Sequence, residues 1–355
     1  DSIKARLHLI RAAKESKDFQ NFLFRSDNTG SLIMHELVQA ARRGVRVRIL
    51  FDQLFTVSDL DYLTGLALRH SNFEVRLYNP LFNKARTSKS SMFGGVTCCF
   101  KKTNQRMHNK LQVVDGVVGM TGGRNVADRY FDFDTDYNFK DREVLVYGGV
   151  AAEMSASFDI FWDSKVAAEI AHLRDIAPLI VAGNGSPASV FKPSERLLPL
   201  LEDIVNNQLM HALFVNTAIQ VDSIEYFYDL PHGSEIENVA HENITKRLHN
   251  VLASARDSVV IQSPYLVLSK RSRNLFKHLR EDRPDIELLF STNSLAATDA
   301  FSAYSLTHKH KKHYIKTIGF DVYEFQPYPV DVGKFLPRLP QLTVEKRQGI
   351  DSGKI

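Results

Sequence analysis

Apolar positions along this chain switch repeatedly between helical and strand spacing. After Ser2, a suitable helix cap, Ile3, Leu7, Ile10 and Ala13 recur at three- and four-residue intervals and predict a helix over residues 3–15. Phe19, Phe22 and Phe24 belong to a predicted strand, Asp18–Phe24. Ser26-Asp27-Asn28-Thr29-Gly30 reads as a loop cluster. Leu32, Leu37, Val38 and Ala41 then predict a helix over 32–43, stopped by Gly44. Val45–Phe51 reads as a buried parallel strand, Asp61–His70 as a helix, and Phe73–Tyr78 as a strand closed by Asn79-Pro80. Leu111–Val114 and Val117–Met120 flank Asp115-Gly116, a two-residue turn signal, and predict a hairpin. A strand at Glu143–Val146 and a helix at Val150–Trp162, with Phe158, Phe161 and Trp162 on its apolar face, complete the series. Helices alternating with strands imply an α/β sheet with helices on both faces.

Residues 166–240 are less regular. Gly183-Asn184-Gly185-Ser186-Pro187 is a break, Arg196–Asn206 has a helical pattern, and Leu213–Val221 predicts a strand. Beyond them the first pattern returns. Aligning Gln20 with Gln262, an offset of 242, sets Lys4 on Lys246, Ile10 on Leu252 and Ser16 on Ser258. Helix Thr245–Arg256, strand Ser258–Ser263, helix Asn274–Arg280 and strand Ile286–Ser291 repeat the opening order. FEVRLYNP at 73–80 matches FDVYEFQP at 320–327. Two copies of one unit imply an α/β fold of two pseudo-symmetric αβ lobes, each a mixed β-sheet flanked by helices. The expected organisation is a first lobe over 1–165, a linker or insertion over 166–240, and a second lobe over 241–355.

Composition adds modest constraints. A chain of 355 residues with 44% hydrophobic content has ample material for a core. A net charge of +4 suits an anionic partner, phospholipid surface or nucleic acid, without choosing between them. The two cysteines are the neighbours Cys98-Cys99, so no disulfide framework is expected. No apolar run approaches the ~20 residues that span a bilayer, and no signal peptide is visible, since Asp1 stands at a predicted helix start. The irregular stretch 83–106, just before the hairpin, reads as a lid or interfacial segment.

The candidate chemistry lies in Met107–Asn125, MHNKLQVVDGVVGMTGGRN. His108 and Lys110 are two apart and point to the same face of an extended segment. Gly122-Gly123 lets the backbone approach a ligand, and Asn125 delivers an amide. Imidazole, ammonium and amide together suit a tetrahedral phosphate, with Lys110 and Asn125 on the oxygens and His108 attacking or protonating. Arg124 is a further candidate phosphate contact, or else a support for Asp128 or Asp132. H-x-K-x4-D followed by G-G-R-N resembles the signature of the phospholipase D superfamily, and RMHNK, VDGVV and GGRN look most like its bacterial branch of cardiolipin synthases and phospholipases D. Phe22–Asp52, Phe73–Phe82 and Leu288–Asp299 also look like that branch.

The resemblance implies a phosphohistidine intermediate on His108, a glycerophospholipid substrate at a membrane surface, and no metal or cofactor. Within it, nucleic acid is the less favoured substrate, hydrolysis and transfer stay open, and the molecule is expected as a monomer or weak dimer, peripherally attached to a membrane. The family uses two such motifs; His108 plus the repeat offset of 247 falls at position 355, so a second motif is expected past the closing GIDSGKI. Asp115 belongs to the motif, but it stands at the hairpin turn, seven residues from His108, and is expected chiefly to close that turn. An acidic residue at about the spacing of Asp141 orients a catalytic histidine in the resembled family, so Asp141 is assigned that role, with Glu143 an ordinary strand charge. Asn293, in Thr292-Asn293-Ser294 at the C-terminal end of a strand, is a candidate cleft residue, as are Asp52 and Gln53 in the first copy. His308–His313, HKHKKH, reads as a solvated basic helix face whose best functional use is contact with anionic headgroups.

Overall fold

The computed structural model describes residues 1–56, 59–88, 97, 100, 103–183, 193–232, 237–327 and 329–347, with the backbone alone for 237–243. The cysteine pair, half of the expected lid, residues 184–187 of the predicted break and the closing GIDSGKI lie outside the described residues. Helices of eight or more residues and strands run in the order α1 Ser2–Ala12, β1 Ser16–Asn21, α2 Asn28–Arg42, β2 Arg46–Asp52, α3 Leu60–Ala67, β3 Phe73–Tyr78, β4 Leu111–Val114, β5 Val118–Gly122, β6 Glu143–Tyr147, α4 Gly149–Trp162, β7 Ala167–Glu169, α5 Leu198–Val205, α6 Glu237–Ala253, β8 Ser258–Gln262, α7 Lys270–Asp282, β9 Glu287–Asn293, α8 Phe301–His313, β10 Asp321–Phe325 and α9 Leu339–Arg347.

The chain divides into two compact units, one of Asp1–Glu237 with the C-terminal residues from Arg338, the other Asn238–Pro337. The first unit holds a seven-stranded mixed sheet in the order β6-β5-β4-β1-β2-β3-β7. β1, β2 and β3 run parallel, while β4, β5, β6 and β7 pair antiparallel. Strand alternation divides its side chains between two cores. Phe19, Val47, Ile49, Phe51 and Val114 join α1 and α2 on one face. Leu50, Leu111 and Val113 pack on the other with Met154, Phe158, Phe161 and Trp162 of α4. The second unit has three parallel strands in the order β10-β9-β8, around Phe276, Phe290, Tyr314 and Phe320.

Several boundaries differ from the sequence reading. The 26–30 cluster is largely helix: Asp27 caps α2 by accepting from Gly30 N at 3.1 Å, and residues 28–30 form the first turn. The predicted strand at 213–221 is absent; His211–Val215 is a π-helical turn, and Ile219 is 85% exposed. Its β-branched residues have no strand edge beside them, and β-propensity without a neighbour does not make a strand. β7, in contrast, lies inside the stretch read as linker and completes the sheet beside β3. Among the described residues no helix is long and apolar enough to cross a membrane.

Candidate active site

The site grows from the turn between β4 and β5. Asp115 and Gly116 both take positive φ, 51° and 68°, the two-residue geometry whose twist matches the flanking strands. The Asp115 carboxylate accepts backbone N–H groups of Lys14, Glu15 and Ser16 at 3.0, 2.9 and 2.8 Å. Partial burial works against its charge, but these donors and the charge of Lys17 prevail and lower its pKa. Asp115 therefore staples the hairpin to the entry of β1.

At the other end of β4, Lys110 is 5% exposed, and its Nζ donates to the His108 carbonyl at 2.8 Å. The same ammonium lies 3.1 Å from His108 Nδ1 and 3.3 Å from Nε2, so it faces the edge between the two ring nitrogens. His108 is exposed on one side and packed on the other against Phe22, ring centroids 4.4 Å apart. Phe22 in turn meets Phe55 at 4.4 Å and lies 5.1 Å beneath Lys110 Nζ. Burial, then the Lys110 charge, lowers the His108 pKa and favours the neutral imidazole. Burial also brings the Lys110 ammonium down to about 8, against the upward pull of the Asp141 carboxylate. A neutral imidazole thus stands beside a cation, in a setting drier than bulk water.

The segment entering His108 is fixed from below. Asp52, fully buried at the end of β2, accepts Met107 N at 3.0 Å and Leu54 N at 3.0 Å, with Arg106 at 3.4 Å. Burial pushes its pKa up to about 6 despite Arg106 and those N–H groups. Gln53 is likewise turned inward, donating to the Lys84 carbonyl at 2.8 Å and accepting from Leu81 N at 3.1 Å. Both hold backbone rather than lining an open cleft.

Other predicted groups are also engaged within the protein. Asn125 is 6% exposed, accepting Leu23 N at 3.2 Å and donating to the Tyr130 hydroxyl at 2.9 Å. It thereby ties β5's exit to the residue after Phe22. A Cβ on Gly122 would strike the Arg142 carbonyl, and one on Gly123 would meet the Asp141 carboxylate at 2.5 Å. The two glycines admit β6 and Asp141, where the sequence suggested close approach to a ligand. Arg124 donates to the Tyr130 carbonyl and to the Asp141 carbonyl at 2.7 Å, and lies 3.6 Å from Glu143. Its expected alternatives have other partners: Asp128 accepts from Thr29 N at 2.8 Å, and Asp132 pairs with Lys140 at 2.6 Å. Glu143, read as a strand charge, is a buried anchor that also holds Arg6 and Ser2. Asn293 ends β9 in the second unit, in register with Phe325. Phe22 and Phe55 pack beside His108 as well, and in the sequence each looks like an ordinary apolar residue near a strand end.

The family described as "Cardiolipin synthase, PLD-like domain" matches residues 7–162. A Helicobacter pylori (strain J99) protein described as uncharacterized is 31% identical over 332 residues, covering 92% of this chain and 64% of that protein. Cardiolipin synthase C of Escherichia coli K12 is 29% identical over 337 residues, covering 92% of this chain and 67% of the relative. The chain thus spans about two thirds of the length of these relatives. The fold is also that of the phosphatidylserine synthase of Haemophilus influenzae Rd KW20, with a TM-score of 0.53 over 90% of this chain and 70% of that one, at 12% identity.

Proposed function

The chain belongs to the phospholipase D superfamily, its cardiolipin synthase-like domain lying at residues 7–162, and from that membership we propose that it transfers phosphatidyl groups of glycerophospholipids through a covalent histidine. A nitrogen of His108 attacks phosphorus, and the bond from phosphorus to the headgroup oxygen breaks. The leaving alcohol takes a proton from a general acid opposite His108, a second histidine in the resembled family. A hydroxyl then attacks the phosphorus, releasing His108 and returning its proton to that group. Water as acceptor gives phosphatidic acid; a glycerophospholipid alcohol gives a product of the cardiolipin type.

The observation that carries this reading is the pairing of His108 with Lys110. An imidazole held neutral keeps a lone pair for phosphorus, and the adjacent ammonium neutralises charge on the phosphoryl oxygens. Asp141 steadies that ammonium, and Asn125 fixes the wall behind it. The test supplies the full-length natural protein with phosphatidylglycerol vesicles, phosphatidylethanolamine vesicles, or single-stranded DNA. The proposal expects headgroup release or exchange from the vesicles and intact DNA. DNA cleavage with no lipid turnover contradicts it.

A further inference from the structure

The second unit carries a helix face that the site chemistry leaves unused. Phe301, Ser305, Lys309, Lys312 and Lys316 follow one another at three- and four-residue steps along α8 and the π turn Tyr314–Ile318, and all are exposed. The opposite face is anchored: Thr307 is 1% exposed and Tyr314 fully buried, its hydroxyl accepting Leu268 N at 3.3 Å. Lys311 pairs with Glu324 at 2.9 Å. Lys309, Lys312 and Lys316, in contrast, have no carboxylate within ion-pair distance among the described residues. Basic residues in the last turns suit the helix dipole, which accounts for their tolerance there but not for their apolar neighbours. Phe301 is 68% exposed, Leu306 46%, Ile315 42% and Leu295, on the loop before the helix, 55%.

We propose that this face of α8 docks the protein onto an anionic phospholipid bilayer. Lysines with long stems reach headgroup phosphates, Phe301 on the same line enters the boundary between headgroups and acyl chains, and Leu306 and Ile315 border the line on either side. The thirteen residues of α8, at 1.5 Å each, offer a strip about 20 Å long for such contact. Exposed leucine and isoleucine decide between polyanions. They gain nothing from a nucleic-acid backbone, whose contacts are ionic and hydrogen-bonded, whereas a bilayer buries them. The inference deepens the lipid reading of the first unit and rests on it for the choice of substrate, but its test does not use catalysis.

The experiment is co-sedimentation of the 355-residue chain with vesicles of phosphatidylcholine alone or with added phosphatidylglycerol, at low and high salt. The wild-type chain is expected to bind the anionic vesicles and to weaken as salt rises. The triple substitution Lys309→Glu, Lys312→Glu, Lys316→Glu should weaken that binding by on the order of a hundredfold, since each basic residue near the surface adds comparably. The milder Lys→Gln triple should give a smaller loss, and circular dichroism should show both variants folded. Phe301→Ala with Leu306→Ala should weaken binding about tenfold at low and high salt alike. Equal binding by wild type and both lysine triples overturns the proposal. So does equal affinity for phosphatidylcholine vesicles, or a lysine triple that loses duplex DNA while keeping anionic vesicles. If vesicles are bound through α8 but the full-length protein turns over no lipid, the catalytic reading fails and the docking surface stands. If detergent-solubilised lipid is turned over but vesicle binding ignores α8, the reverse holds.

Discussion

The buried carboxylate of Asp52 accepts the backbone N–H of Met107 at 3.0 Å, one residue before His108. The end of a parallel strand thereby fixes the backbone next to His108, a residue that arrives from more than fifty residues later in the chain. Asp52→Asn puts an amide N–H against a backbone donor, leaving one buried group unsatisfied at a cost of about 1–3 kcal/mol. Thermal unfolding should register that loss. Turnover by the full-length enzyme should fall about tenfold or more in kcat, because small displacements of a nucleophile cost rate steeply. Unchanged kcat would mean that Asp52 supports the fold without positioning His108.

Asp115 separates structure from chemistry in the motif. Its lowered pKa means a contribution to stability that is present above the ordinary carboxylate range and is lost as pH falls through the folded value. Asp115→Asn keeps a residue that tolerates positive φ, so its effect isolates the charge and the acceptors. We expect a loss of about 1 kcal/mol at pH 7, shrinking toward zero below pH 4, measured by thermal melts across pH. Activity of the folded fraction should stay within about threefold of wild type, since no step is assigned to this carboxylate. A collapse of kcat at full stability would move Asp115 into the catalytic machinery.

The pH profile of turnover should be bell-shaped. Below the range of an ordinary histidine, His108 protonates and loses its lone pair; its lowered pKa extends activity toward acid. On the alkaline side Lys110 loses its proton at about 8, so activity falls as pH rises through that value. A plateau persisting past pH 10 would contradict the role given to the ammonium.

Phe22→Ala tests the aromatic wall. Two effects oppose each other. Losing the ring removes a cation–π contact worth ~0.5–1 kcal/mol, under one pKa unit, which would lower the Lys110 pKa. It also admits water, and burial is what brings Lys110 from 10.5 to about 8. The second effect is larger, so the alkaline limb should move upward in Phe22→Ala. A limb that moves downward would make the ring's electrostatics dominant.

Spacing rules read the His108–Lys110 contact and the hairpin turn well because both are local. His108 and Lys110 converge as an i, i+2 pair, and Asp115-Gly116 turns the chain as a two-residue hairpin should. What escaped local reading depends on distant partners. Asp27 caps α2, but Asp128 completes the cap from a hundred residues away. Gly123 reads as an opening for ligand, yet the Asp141 carboxylate fills the space. Asn125 reads as a free amide, yet Leu23 and Tyr130 occupy both its ends. Phe22 reads as one more residue of a strand over 18–24; β1 stops at Asn21, and the ring turns toward His108. The strand expected at 213–221 had the right residues but no neighbouring strand edge.

In the proposed reaction His108 carries the covalent intermediate. The direct measurement is mass spectrometry of the full-length enzyme, acid-free quenched during turnover of phosphatidylglycerol and digested for peptide mapping. A phosphatidyl adduct is expected on the peptide containing His108, absent from His108→Asn, whose activity should fall by at least about a thousandfold while its melting temperature stays close to wild type. An adduct on any other residue, or full activity in His108→Asn, would contradict it.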